Sequence, residues 1–266
     1  MGYGIVMGEP FILIKNLSKS FVSSGGEKLK VLSDMNIHIN EGDFITILGV
    51  SGSGKSTFLR CVGGFEKIDG GEITINGKKI TKPAPEVSMI FQTFEQIFPW
   101  KTVYENVVYP LLTNKNTGLS KNEIRDTAEH YIDMVGMLKF KNYYPHQLSG
   151  GMKQRTAIAR SLIQKPSVIL MDEPFASLDA DTRTILRREV LDIWYKAKGK
   201  LTILFVTHSI LEAISFATKF LVLDMTKGYK MFDNTVSGSA GKLKTPEDDG
   251  FDECWTKLNN MIRCGK

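Results

Sequence analysis

The sequence predicts an α/β fold: a parallel or mixed sheet with helices packed on it, an antiparallel β region at the N-terminus, and a helical lobe inserted into the core. Three observations predict it. Short apolar runs at 44–48, 168–171, 203–206 and 220–223 have the length and composition of strands buried on both faces. Helical stretches around 181–198 and 209–217 alternate with the later runs, and such alternation implies parallel pairing. Between 98 and 162 the strand signals lapse and helical patterning takes over.

In order along the chain, Phe11-Ile12-Leu13-Ile14 opens a strand, a polar loop spans 23–28, and 31–39 alternates partly, as a half-exposed strand does. Phe21 has two readings: a core residue, which position alone favours, or a flat ring that stacks on a base.

The run at 44–48 leads into Gly49-Val50-Ser51-Gly52-Ser53-Gly54-Lys55-Ser56-Thr57, and 58–62 reads as the first turns of a helix. Strand, glycine-rich loop ending in Gly-Lys-Ser, then helix is the context of a phosphate-binding P-loop. Glycines let the backbone wrap a polyphosphate with its amides inward, and the helix N-terminus adds partial positive charge. Lys55 reaches the β- and γ-phosphates and the Ser56 hydroxyl can ligate Mg²⁺. Nucleotide binding follows.

Residues 70–77 form a strand ending in an Asn-Gly turn, and 87–91 a short strand with Gln92 at its end. Gln92 could satisfy backbone groups, ligate Mg²⁺ or position a water. The helical block opens with Thr102 as an N-cap, and Ser120-Lys121-Asn122-Glu123 is a capping box for a helix to about Val135. In Leu148-Ser149-Gly150-Gly151-Met152-Lys153-Gln154-Arg155, Ser149 caps a helix running through Leu162, which offers a hydroxyl and free amides to a second anion. One chain does not need two γ-phosphate sites. A head-to-tail dimer does, each Ser149 loop closing over the other copy's P-loop.

The run at 168–171 ends in Asp172-Glu173 and that at 203–206 in Thr207-His208, so these residues share the carboxyl edge of the sheet with the P-loop. Asp172 can hold the Mg²⁺ that Ser56 ligates. Neighbouring side chains diverge on an extended chain, which leaves Glu173 facing the γ-phosphate, either as acceptor of a proton from water or simply as a cap or surface ion pair. An imidazole at His208 would sense the γ-phosphate. Beyond 225 the chain is less regular; Thr245-Pro246-Glu247-Asp248 reads as a helix start, and Phe251, Trp255, Leu258 and Ile262 as one apolar stripe docking on the chain's own core.

Taken in order, the P-loop, Gln92, the 148–154 stretch, Asp172-Glu173, the Ser177-Leu178-Asp179 loop and His208 resemble the ATP-binding cassette (ABC) family over about 11–224. The resemblance implies a single ABC ATPase domain on a P-loop NTPase core. Its core lobe covers about 1–92 and 163–228, its helical lobe about 93–162, and a tail about 229–266. It implies that Gly49, Ser51, Gly52, Ser53, Gly54, Lys55, Ser56 and Thr57 bind ATP, with Ser149, Gly150, Gly151, Gln154 and Asp179 completing the sandwich. It implies that Ser56, Gln92 and Asp172 serve Mg²⁺, that Glu173 is the catalytic base and His208 the switch, and that Gln92 links the metal to the helical lobe. Phe21 falls at the family's adenine-stacking position, usually tyrosine, which reverses the preference for core. Residues 98–103 and 144–155 are similar to those of nitrate, sulfonate and taurine importer ATPases, whose segment after the glutamine docks on a permease. The implied partners are a second copy, membrane permease subunits and, indirectly, an extracytoplasmic solute-binding protein, with the chain held at the cytoplasmic face of the membrane. Export or lipoprotein release, or a soluble non-transport role, are the alternatives.

Composition agrees. Of 266 residues 42% are hydrophobic and 24% charged, enough for a sizeable core, and the net charge of +5 is dispersed and does not call for nucleic acid. No apolar run approaches the roughly 20 residues that span a bilayer. The first ten residues do not read as a signal peptide, and Cys61, Cys254 and Cys264 form no ligand or disulfide pattern, which suits a reducing compartment.

Overall fold

The computed structural model describes residues 10–23, 25–91, 96–114, 118–176, 178–224, 227–238 and 242–263. Gln92, Ser177 and Cys264, each singled out above, lie outside them.

Among the described residues two sheets form. The larger has the order β10-β9-β3-β8-β7-β6, built from β3 (Phe44–Gly49), β6 (Val87–Ile90), β7 (Val168–Asp172), β8 (Thr202–Val206), β9 (Lys219–Asp224) and β10 (Gly228–Asp233). All pairings are parallel except β10 on β9. Every residue of β3, β7 and β8 is buried, as strands covered on both faces require. Register brings Gly49 beside Leu223, Ile47 beside Val206, and Asp172 beside Val206, so the loops after β3, β7 and β8 leave one edge together.

The smaller sheet is antiparallel, order β2-β1-β4-β5, from β1 (Ile12–Val22), β2 (Lys28–Ile39), β4 (Gly70–Ile75) and β5 (Lys78–Lys79). Ile12 and Ile14 pair with Ile39 and Ile37 on one side and Ile75 and Ile73 on the other. These face Phe58, Leu59 and Val62 of α1 (Lys55–Val62), and behind them Ile45, Ile47 and Leu204, so the helix that follows the P-loop is buried between the sheets. Asn76 and Gly77 both take positive φ in the turn between β4 and β5, as an Asn-Gly hairpin turn demands.

The opposite face is covered by an aromatic cluster of Phe44, Phe175, Phe205 and Phe216, joined to the helices between 103 and 162. Each of these helices starts as its sequence dictates. Thr102 and Glu105 form a capping box on α2 (Val103–Thr113), Ser120 and Glu123 another on α3 (Lys121–Met134), and Ser149 caps α4 (Gly150–Leu162) by accepting from the Met152 amide. α5 (Ala180–Lys196) and α6 (Ile210–Phe216) connect β7, β8 and β9.

The tail differs from the sequence reading in three ways. β10 is a regular edge strand whose residues are exposed or half-buried; with no continuous apolar run, its pairing comes from β9, not from its own composition. The Thr245–Asp248 stretch is a turn, its Thr245 amide donating to the Asp248 carboxylate at 2.6 Å, and α7 (Phe251–Arg263) begins three residues later. The buried stripe of α7 is Phe251, Cys254 and Leu258, while Trp255 is 41% exposed. That stripe docks, as expected, on the chain's own core, against Leu48, Ala213, Ile214 and Phe220.

Candidate active site

The P-loop is built around contacts that leave no room for side chains. Gly49 has φ 151°, and a Cβ there would lie 2.4 Å from the Leu223 carbonyl and 2.5 Å from Ser53 Oγ. Ser51 and Gly52 are exposed at the mouth, whereas Ser53, Gly54 and Lys55 are buried. Gly54 precedes α1 in a left-handed conformation with no side-chain cap, so the first amides of α1 are not taken up by a capping side chain. Lys55 Nζ curls back to donate to the carbonyls of Gly49 at 3.0 Å and Val50 at 2.9 Å. Burial pushes its pKa down, against the pull of Glu173 and Asp172. Ser53 Oγ is buried with no hydrogen-bond partner among the described residues. An orphaned hydroxyl, a lysine folded over the loop and uncapped amides fit a polyphosphate.

Ser56 stands on the first turn of α1, half-buried beside Thr57, and its hydroxyl donates to Asp172 Oδ1 at 2.9 Å. Burial raises the Asp172 pKa; the Ser56 hydrogen bond opposes this and the neighbouring Glu173 adds to it. A hydroxyl and a carboxylate meeting beside phosphates is an oxygen donor set suited to Mg²⁺, which keeps its remaining places for water and phosphate.

Glu173 does not continue the strand. Its φ is 47°, a left-handed conformation that is costly for a side chain with a Cβ, and its amide donates to the Val206 carbonyl at 3.1 Å. Asp172 and Glu173 therefore diverge because the backbone turns sharply between them, not because the chain stays extended. His208 Nε2 meets Glu173 Oε1 at 2.5 Å. Thus Lys55, Ser56, Asp172, Glu173 and His208, far apart in the sequence, converge on one sheet edge.

Among the described residues the Ser149 group is not hydrogen-bonded to this edge: no hydrogen bond joins Ser149 or Asp179 to the P-loop; each caps its own helix, Ser149 to Met152 and Asp179 to Thr182 at 2.9 Å. The two caps are neighbours, since a Cβ on Gly151 would lie 3.0 Å from Thr182 Cγ2. Gly150 is half-buried at the same helix start, and both polar atoms of the buried Gln154 side chain lack partners among the described residues.

Phe21, near the end of β1, is 40% exposed, not a core residue. The Lys19 ammonium covers one face of its ring at 4.8 Å, and Glu66 holds that ammonium at 2.6 Å. Sequence reasoning missed the polar network behind His208: the Glu212 carboxylate accepts from both Thr207 and Arg187. A polar residue four positions after a histidine is an ordinary helix-surface pattern, so nothing in the sequence marked Glu212 as buried. A cleft of about 750 Å³ at the other end of the strands, lined by Met134, Lys165, Glu189 and Leu201, contains none of these residues.

A phosphate loop running into a helix, a buried aspartate at the next strand but one, and an inserted helical block define a P-loop ATPase. The ABC transporter family profile matches residues 32–176, and the chain belongs to that family. It is an ATP-binding subunit with ATPase activity. It is 40% identical over 235 residues to the nitrate import ATP-binding protein NrtD of Synechocystis sp., covering 88% of this chain and 85% of that one. It is 40% identical over 256 residues to the aliphatic sulfonates import ATP-binding protein SsuB of Bacillus thuringiensis, covering 96% of each. Among solved structures, the dimeric post-hydrolysis state of the ATP-binding cassette MJ0796 bound to ADP and Pi superposes with a TM-score of 0.75 at 32% identity, covering 86% of this chain and all of that one. No helix among the described residues is long and apolar enough to cross a membrane.

Proposed function

We propose that this chain is the ATP-hydrolysing subunit of an ABC importer, working as a head-to-tail pair on separate permease subunits at the cytoplasmic face of the membrane. The cargo is a small anion or organic solute of the nitrate, sulfonate or taurine type, delivered by an extracytoplasmic binding protein. One observation carries the reading: the Lys55–Ser56–Asp172–Glu173–His208 edge and the Ser149–Gly151–Asp179 corner are bonded each within itself and not to one another among the described residues, which supports reading them as two halves of a phosphate site completed by a second copy. The relatives named for nitrate import and for aliphatic sulfonates import support that direction of transport and that class of cargo.

In the closed pair the P-loop amides and Lys55 grip the β- and γ-phosphates, and the Ser149 and Gly151 end of the partner's α4 closes over them. Phe21 offers its open face to the adenine. Ser56 and Asp172 would hold Mg²⁺, which would supply positive charge to the phosphate oxygens. Glu173 accepts a proton from the water that attacks the γ-phosphorus, and His208, donating to Glu173 or to the phosphate, reports whether the phosphate is there. Gln92, expected to link the metal to the helical lobe, lies outside the described residues and is assigned on resemblance alone.

The permease reading is supported by a cleft of about 490 Å³ between core and helical block, lined by Phe65, Phe91, Tyr109, Pro110 and Arg160. Trp100, 70% exposed, packs on Phe98, whose ring meets Tyr109 and Arg160 of that cleft, on a segment fixed by the buried Asn106, which bonds the Phe98, Lys101 and Thr102 carbonyls. An exposed tryptophan on a rigid base is a common interface anchor. The test is extraction of the tagged chain from native membranes, followed by mass spectrometry. A permease and a solute-binding protein should accompany it; recovery with ribosomes or nucleic acid would overturn the transport reading.

A further inference from the structure

His208 sits at the middle of a three-residue turn that is braced from inside the protein. Thr207 is 4% exposed and its amide donates to the Ile47 carbonyl of β3 at 3.3 Å. Its hydroxyl accepts the Ser209 amide at 3.0 Å and donates to Glu212 Oε2 at 2.5 Å. Glu212, on the first turn of α6, is 6% exposed, and its other oxygen, Oε1, accepts from the Arg187 guanidinium on α5. Its amide in turn donates to Ser209 Oγ at 3.3 Å.

The arrangement exceeds what ending a strand and starting a helix requires. Ser209 alone caps α6. A carboxylate taken out of water is unfavourable unless charged and hydrogen-bonding partners replace the lost hydration, and here it receives one of each. Both residues that flank His208 are tied, directly or through a backbone bond, to that one buried group. The histidine is itself half-exposed, so its own packing does not decide where the imidazole points. The turn does.

We propose that Glu212 is a positioning residue for ATP hydrolysis: it locks Thr207 and Ser209 so that His208 is held at Glu173, and Arg187 anchors that lock to α5. This rests on the reading of His208 as the switch. The helix holding Arg187 begins at the Asp179 cap, two turns earlier, so the lock also ties the switch to the corner that one copy offers to its partner. Glu212→Gln keeps an acceptor for Thr207 but leaves the guanidinium without its counter-charge, whereas Thr207→Val removes the hydroxyl and keeps the shape.

The test is steady-state ATPase kinetics on the purified full chain. Glu212→Gln and Thr207→Val should each lower kcat by on the order of tenfold while the KM for ATP stays within about twofold, a pattern that marks a loss felt only in the transition state. Thr207→Ser, which keeps the hydroxyl, should recover most of the rate. In a His208→Ala background, Glu212→Gln should add nothing further, because its effect passes through the imidazole. An equal proportional loss in both backgrounds, or a rise in KM without a fall in kcat, overturns the inference and makes Glu212 structural. If His208→Ala alone turns over at the wild-type rate, the switch reading falls and the inference with it. Should Glu212→Gln fail to fold, Thr207→Val with and without His208→Ala carries the same comparison.

Discussion

His208 Nε2 and Glu173 Oε1 meet at 2.5 Å, a side-chain bridge between the loops that follow β8 and β7. The bridge gives the Glu173 carboxylate a hydrogen-bonding neighbour from a second loop. It also means that neither residue can change its partner without the other responding.

Glu173→Gln keeps the size of the side chain and its ability to bond His208, but cannot accept a proton. Turnover should fall by ~10²–10⁴-fold while ATP binding persists. Phosphate-release kinetics measure the first, and size-exclusion chromatography with ATP should now trap the pair. An unchanged rate would remove Glu173 from the role of base.

Asp172 bears on pH. Its folded pKa lies above the ordinary carboxylate value because of burial, so between the two values the folded state binds more protons than the unfolded chain. Stability without metal should therefore rise as pH falls from the folded toward the unfolded pKa, and drop as pH rises again. Asp172→Asn, still able to accept from Ser56, should remove this slope and raise the neutral-pH Tm measured in EDTA. The same variant, or EDTA on the wild type, should cut ATPase activity by at least ~10²-fold.

Phe21→Ala should raise the KM for ATP by on the order of tenfold, the usual worth of an aromatic platform under a base. Phe21→Tyr should leave it unchanged. A KM insensitive to both would return Phe21 to a packing role.

Gly49→Ala would drive a methyl into the Leu223 carbonyl and Ser53 Oγ, 2.4 and 2.5 Å away. The expected cost is ~1–3 kcal/mol in urea unfolding, together with loss of ATP binding. Gly52→Ala offers a contrast in space alone, since a Cβ there has nothing within 4 Å, although its φ of 81° still carries strain.

Leu258→Ala tests the tail. Leu258 is fully buried against α6 and β9, so truncation should cost ~2–5 kcal/mol of stability with little change in KM for ATP. A loss of activity without a loss of stability would give the tail a regulatory task.

What could be read from the sequence was what depends on local order. The buried strands, the Thr102, Ser120 and Ser149 caps and the P-loop all declare themselves within a few residues, through apolar runs or through side chains that bond their own backbone. The meeting of Ser56 with Asp172 followed from two strand ends sharing an edge. What could not be read depends on neighbours distant in sequence. β10 is a strand because β9 offers an unpaired edge. The register of α7 follows the hollow between α6 and β9, which took Cys254 and turned Trp255 outward. The burial of Glu212 depends on Arg187, 25 residues earlier, and the turned backbone at Glu173 on a bond to Val206.

The separation of the Ser149 corner from the P-loop has a consequence for inheritance of damage. If each composite site takes one half from each copy, a lesion in Lys55 and a lesion in Ser149 complement each other unequally. Mixed pairs would carry one site with both faults and one with none. Co-expressing the two dead variants should then recover activity that neither possesses alone, whereas mixing Lys55 and Glu173 variants, whose faults share a half, should leave every site with a fault. The chain thus writes its two errors in different ledgers, and only pairing decides whether they are read together.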